Sequence, residues 1–192
     1  WWRPSPDPRC DRASCRWQCR FALKFSAHRS IPSFPILRTY FMAAGNAYDD
    51  LIMEHIKNAR GFRALDDATH QASGSNPLCG DELTVYARLD GDRIECVSFQ
   101  CSCCGISMAS ASMMTECLQG QSWAQVRTWL GDFVAAITAR AESPQASADP
   151  LRQVLLKTAR DLPARTSCAA LPWATLAAAL EGRTDTVSVP FR

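Results

Sequence analysis

Residues 82–89, Glu-Leu-Thr-Val-Tyr-Ala-Arg-Leu, are followed by Asp90-Gly91 and then by residues 93–101, Arg-Ile-Glu-Cys-Val-Ser-Phe-Gln-Cys. Leu83, Val85, Ala87 and Leu89 alternate with polar neighbours, which is the period of a half-buried strand. Asp-Gly between two such runs is a strong short-range signal for a hairpin turn. Residues 93–101 therefore return as the partner strand. The parity of the apolar positions shifts between Ile94 and Val97, which predicts a bulge there.

Outward from the hairpin the pattern is helical. Asn46 can cap a helix over 47–59, on which Leu51, Ile52, His55 and Ile56 share a face. The Gly/Ser/Asn-rich stretch from about Ala72 to Pro77 reads as a loop. A helix is expected at about 105–119, stopped by Gly120. Ser122 with Gln125 forms a capping box for a helix over 123–140. Residues 142–150 read as a linker, 151–161 as a helix, and 169–180 as a last helix. The fold class is α+β, a small antiparallel sheet of about three strands packed with five or so helices.

The formal charge of +2 hides an asymmetry, with eight Arg/Lys against two Asp in residues 1–41 and thirteen Arg/Lys against seventeen Asp/Glu beyond. The mildly acidic body gives no electrostatic reason to expect a nucleic-acid partner. No window reaches the roughly 18 unbroken apolar residues of a membrane span. Residues 1–41 have no helical or strand period. They read as sequence upstream of Met42 or as an organelle-targeting leader, expected in either case to be disordered. The domain is expected over 42–185, with a frayed tail at 186–192.

Ten cysteines are many for this length, three of them (Cys10, Cys15, Cys19) in the leader. In a cytoplasmic chain such a number points to metal or thiol chemistry before a disulfide framework. Cys79 lies in the turn Asn76-Pro77-Leu78-Cys79-Gly80-Asp81. Cys104 lies where the returning strand gives way to a helix, and Cys168 just ahead of the last helix. A helix N-terminus favours a thiolate at both of the latter. Three thiolates with Asp81 would suit Zn2+. On spacing alone, ordinary buried cysteines, which are common, are the favoured reading over a metal site.

Four segments resemble, in order, the motifs of the SufU branch of the IscU/NifU-like family. They are Ile52-Met-Glu-His-Ile-Lys-Asn58, Asn76-Pro-Leu-Cys-Gly-Asp81, the run from Cys104-Gly-Ile-Ser-Met to Met114, and Leu162-Pro-Ala-Arg-Thr-Ser-Cys168 continuing to Trp173. The insertion between Cys104 and Cys168 is similar to SufU rather than IscU. The chaperone-recognition motif of IscU is missing, since 162–166 reads LPART, and Ser167 replaces the usual His of IscU or Lys of SufU.

The resemblance implies a Zn2+ site at Cys79, Asp81, Cys104 and Cys168. It implies a pyridoxal-phosphate cysteine desulfurase of SufS type as partner, and iron–sulfur assembly proteins downstream. Cys79 becomes the sulfur-accepting thiol, freed when a His of the desulfurase replaces it on zinc. Arg165 supports the site or is a solvated surface residue. The alternatives are a scaffold building a [2Fe-2S] cluster on the same ligands and a structural zinc domain that binds partners. A cysteine-nucleophile hydrolase would need a His near one of the three motifs, and none is there.

Cys101 and Cys103 exceed the family pattern. They are either incidental small residues or auxiliary thiols. Cys96 and Cys117 are assigned to packing, and His55 to packing or a supporting role. The stripe Met108–Met114 is expected to pack closely behind the site. His28 and His70 lie in loops and carry no signal.

Overall fold

A computed structural model describes residues 46–138, 157 and 161–189. The leader with its cysteines and His28, the linker at 142–150 and most of the helix expected at 151–161 fall outside these. Helix α1 (Asn46–Lys57) leads into strands β1 (His70–Asn76), β2 (Asp81–Asp90) and β3 (Arg93–Ser102). Helices α2 (Gly105–Leu118) and α3 (Trp123–Thr138) follow. A 3-10 turn at Pro163–Arg165 then runs into α4 (Thr166–Leu180), and β4 (Val187–Ser188) closes the chain order. Among the described residues no helix is long and apolar enough to cross a membrane.

The hairpin forms as the alternation predicts. Ala87, Val85 and Leu83 sit opposite Val97, Phe99 and Cys101 on the inward face. Gly91 takes φ +60° at the turn. Arg88 pairs with Cys96 but Leu89 with Ile94, so Glu95 is the extra, bulged residue. It is put to use. Glu95 Oε2 accepts from Arg88 Nε at 2.7 Å, while both Asp67 oxygens lie 2.7 Å from Arg88 Nη1. Gly120 stops α2 with φ +78°. Ser122 and Gln125 close the capping box reciprocally, Gln125 N–H donating to Ser122 Oγ and Ser122 N–H to Gln125 Oε1.

The sheet departs from expectation at one edge. It is four-stranded and mixed, ordered β3-β2-β1-β4, with β4 parallel to β1. Residues 72–77, read as a loop, belong mostly to β1. The stretch hides its alternation because its buried positions are Ala72, Gly74 and Asn76, small or polar side chains lying under α4. At Gly74 a Cβ would collide with Thr175 Oγ1, which is itself held by the Leu171 carbonyl at 2.8 Å. Only glycine lets α4 come this near. The tail expected to fray from 186 instead adds β4, with Val187 and Val189 buried. His70 opens β1 rather than lying in a loop.

Helix α4 packs on β1 and β2 and is backed by α2 and α3, with α1 beyond α2. It starts at Thr166, three residues earlier than expected, so Cys168 lies in its first turn. Pro172 lies inside it, which deprives the Cys168 carbonyl of its normal N–H partner four residues on. Ser107 Oγ of α2 donates to that carbonyl at 3.0 Å, and Ser110 Oγ to the Ala169 carbonyl at 2.6 Å. The small-residue face of α2 thus packs directly behind the third motif. Cys96 is fully buried against Leu65, and Cys117 packs at the core margin.

His55 is 1% exposed, and its Nδ1 lies 2.8 Å from Ser112 Oγ. Burial above all, then the nearby Arg60 charge, push its pKa from the ordinary 6.5 to about 4. Between those values the unfolded chain binds the proton and the folded one does not, so stability rises with pH across that window. The Glu54 charge acts in the opposite sense, and Glu116 Oε2 lies 4.0 Å from Nε2. Taking the wild type from pH 7 to pH 4 should therefore cost up to about 3 kcal/mol more than in His55→Gln. Urea melts of both at the two pH values measure it. Parallel losses would place the acid sensitivity elsewhere.

Candidate metal centre

Cys79 occupies the loop of the β1–β2 hairpin, between paired Asn76 and Asp81. The loop is shaped by main chain and one amide. Cys79 N–H donates to the Asn76 carbonyl at 3.2 Å, Leu78 N–H to Asn76 Oδ1 at 3.3 Å, and Gly80 takes φ +68°. Asp81 begins β2 and is buried. Cys104 caps α2, and Cys168 comes from the first turn of α4, fully buried.

These distant segments meet. One ligand atom each from Cys79, Asp81 and Cys168 lie within 4.8 Å of one another. The Cys79 and Cys168 sulfurs are 3.0 Å apart. Cys104 stands outside that set of three but adjoins it, its thiol hydrogen-bonded with Cys168 and its N–H donating to Asp81 Oδ1 at 2.7 Å. Arg165 Nη1 lies 3.2 Å from Cys79 Sγ, although the residue is exposed.

The electrostatics separate the two inner thiols. The hydrogen bond with Cys168 brings the Cys104 pKa down to about 6, helped by the Ser107 and Ile106 amides at the start of α2 and opposed by burial. Cys168 is pushed strongly upward by the same hydrogen bond and by burial.

Two residues of the site escaped the sequence reading. Asn76 Nδ2 donates to Cys168 Sγ at 3.3 Å and to Ser167 Oγ at 3.2 Å, tying the hairpin loop to α4. Ser107 Oγ lies 3.2 Å from Asp81 Oδ2. Both fall within quoted motifs, but a motif does not show which donors aim at which sulfur. Cys101 and Cys103 close into a disulfide beside Cys104.

The donor set fits a soft divalent ion. Thiolate sulfur and carboxylate oxygen are the ligand types Zn2+ accepts, and the burial of Asp81 and Cys168 suits an ion screened from water.

The family model for the NifU-like N terminal domain matches residues 47–169. The zinc-dependent sulfurtransferase SufU of Bacillus subtilis is 33% identical over 129 residues, covering 67% of this chain and 86% of that protein. The iron–sulfur cluster assembly scaffold protein IscU of Thermotoga maritima is 33% identical over 136 residues, covering 70% and 92% respectively. The crystal structure of FiSufU from Fervidobacterium islandicum, described as a cluster assembly scaffold protein for the SUF system, matches with TM-score 0.60 at 30% identity. That match covers 68% of this chain and 94% of the other. By sequence and by fold, this chain belongs to the NifU-like N-terminal domain family.

Proposed function

We propose that this protein accepts sulfur from the persulfide of a SufS-type, pyridoxal-phosphate-dependent cysteine desulfurase and carries it to downstream iron–sulfur assembly proteins in the cytoplasm. One observation carries the reading: the convergence of Cys79, Asp81 and Cys168 within 4.8 Å, with the half-exposed sulfur of Cys79 outermost. Cys79, Asp81 and Cys168, joined by Cys104, would hold Zn2+. The ion would keep the thiols deprotonated without redox chemistry of its own.

The remaining chemistry belongs to the chain. The Cys79 thiolate attacks the terminal sulfur of the partner's persulfide. A new S–S bond forms on Cys79, the partner's S–S bond breaks, and the partner's cysteine leaves as a thiolate. No outside electrons are needed. Arg165 stabilises negative charge on the Cys79 sulfur. Asn76 fixes the buried Cys168, so that the loop sulfur of Cys79 rather than that of Cys168 is offered outward. Leu78, 69% exposed, precedes Cys79, and Leu162, 46% exposed, lies three residues before Arg165. The two give the desulfurase apolar footing on either side of the thiol.

The likeness to the IscU scaffold favours a second reading, assembly of a [2Fe-2S] cluster on the same residues. Metal analysis and colour separate them. The purified full chain should be colourless and carry about one zinc per chain, lost in Asp81→Ala. Brown protein with sulfur-to-iron charge-transfer bands and no zinc would favour the scaffold.

A further inference from the structure

Strand β3 runs into Phe99-Gln-Cys101-Ser-Cys103-Cys104, so two further cysteines directly precede Cys104 beside the site. Alternate residues of a strand share a face. Where the chain leaves the sheet after Ser102, the Cα atoms of Cys101 and Cys103 are 5.5 Å apart, within the span a disulfide bridges, and the two sulfurs are bonded. Both residues are half-buried, so solvent and small solutes reach them. The pair is anchored next to the site. Cys101 lies opposite Leu83, two residues beyond Asp81, and the neighbouring Cys104 bonds both Asp81 and Cys168.

A persulfide sulfur stands two electrons above sulfide, and zinc cannot supply electrons. A dithiol supplies two by closing into a disulfide. Building on the relay reading, we propose that Cys101 and Cys103 are a built-in reductant that unloads sulfur from Cys79 as sulfide. The Cys103 thiolate attacks the inner sulfur of the Cys79 persulfide, forming a Cys79–Cys103 disulfide and expelling the outer sulfur as hydrosulfide. The Cys101 thiolate then attacks the Cys103 sulfur, closing Cys101–Cys103 and returning Cys79 as a thiolate. In sum, one persulfide and two thiols become one thiol, one hydrogen sulfide and one disulfide. An external dithiol reductant resets the pair by exchange.

The test uses the reduced full chain, freed of excess thiol and given limiting glutathione persulfide. Sulfide is measured in solution, and the sulfur on each cysteine by intact and peptide mass. The wild type should release sulfide in step with formation of the Cys101–Cys103 disulfide. Cys101→Ser and Cys103→Ser should each lose sulfide release to background. Cys103→Ser should retain the extra sulfur on Cys79, and Cys101→Ser should stop at the mixed disulfide. Wild type that keeps its Cys79 persulfide, or release undiminished in Cys79→Ser or in both pair variants, would overturn the inference and leave the relay standing. A Cys103→Ser chain that never gains sulfur at Cys79 would overturn both.

Discussion

With Cys79 replaced by alanine, a SufS-type desulfurase turning over cysteine is expected to run no faster than it does alone, although the variant folds normally. The loop does not rely on this side chain. Its turn is made by the Asn76 carbonyl and amide and by Gly80, and Cys79 is only half-buried. Compared with both chains free of metal, stability should therefore change by no more than about 0.5 kcal/mol, as for substitutions outside the core, and any larger loss in the loaded protein reports the missing ligand. The chemistry has no substitute. Cys168 is buried and tied to Asn76, and Cys104 is tied to Cys168. Alanine production with and without added protein measures the effect, and intact mass shows whether sulfur reaches the chain. Stimulation that survives in folded Cys79→Ala would end the relay reading and leave a structural zinc domain. Arg165→Ala should fall between, because it leaves the nucleophile and removes only the cation 3.2 Å from it.

Sequence revealed this fold wherever one residue's own chemistry dictates the local geometry. Asp90-Gly91 gave the hairpin, the parity shift gave the bulge at Glu95, and Ser122 with Gln125 gave a helix start. It failed where a neighbour dictates. Strand β1 buries Ala72, Gly74 and Asn76, whose smallness is explained only by α4 lying on top of them. Strand β4 is two residues long and takes its pairing from β1. The site divides similarly. The cysteines and Asp81 could be picked out at element boundaries and by resemblance. The Asn76 bond to Cys168 and the Ser107 substitute for the missing Pro172 amide depend on segments far apart in the chain. So does the inequality of Cys104 and Cys168. Two thiols both near helix starts look alike until Cys168 is seen to be fully buried and held by the Asn76 amide while Cys104 is half-buried.

The largest loss of stability is expected from Trp173→Ala, about 3–5 kcal/mol, a large part of what holds a domain of this size together. Trp173 is fully buried, its ring centroid 4.3 Å from that of Phe133. Its Nε1–H donates to Ser110 Oγ at 3.0 Å, while Ser110 donates onward to the Ala169 carbonyl at 2.6 Å. One side chain thus joins α2, α3 and α4 on the helix that carries Cys168. Trp173→Phe separates the contributions, keeping most of the packed ring and losing the hydrogen bond, for about 1 kcal/mol plus the smaller volume. Urea unfolding of both variants measures the difference. Zinc release followed in the same titrations should move to lower urea in step with unfolding, because α4 cannot loosen without carrying Cys168 away from Cys79 and Asp81. A Trp173→Ala variant that loses under about 1 kcal/mol would mean that the interior closes around the gap, and that α4 is held chiefly by the sheet.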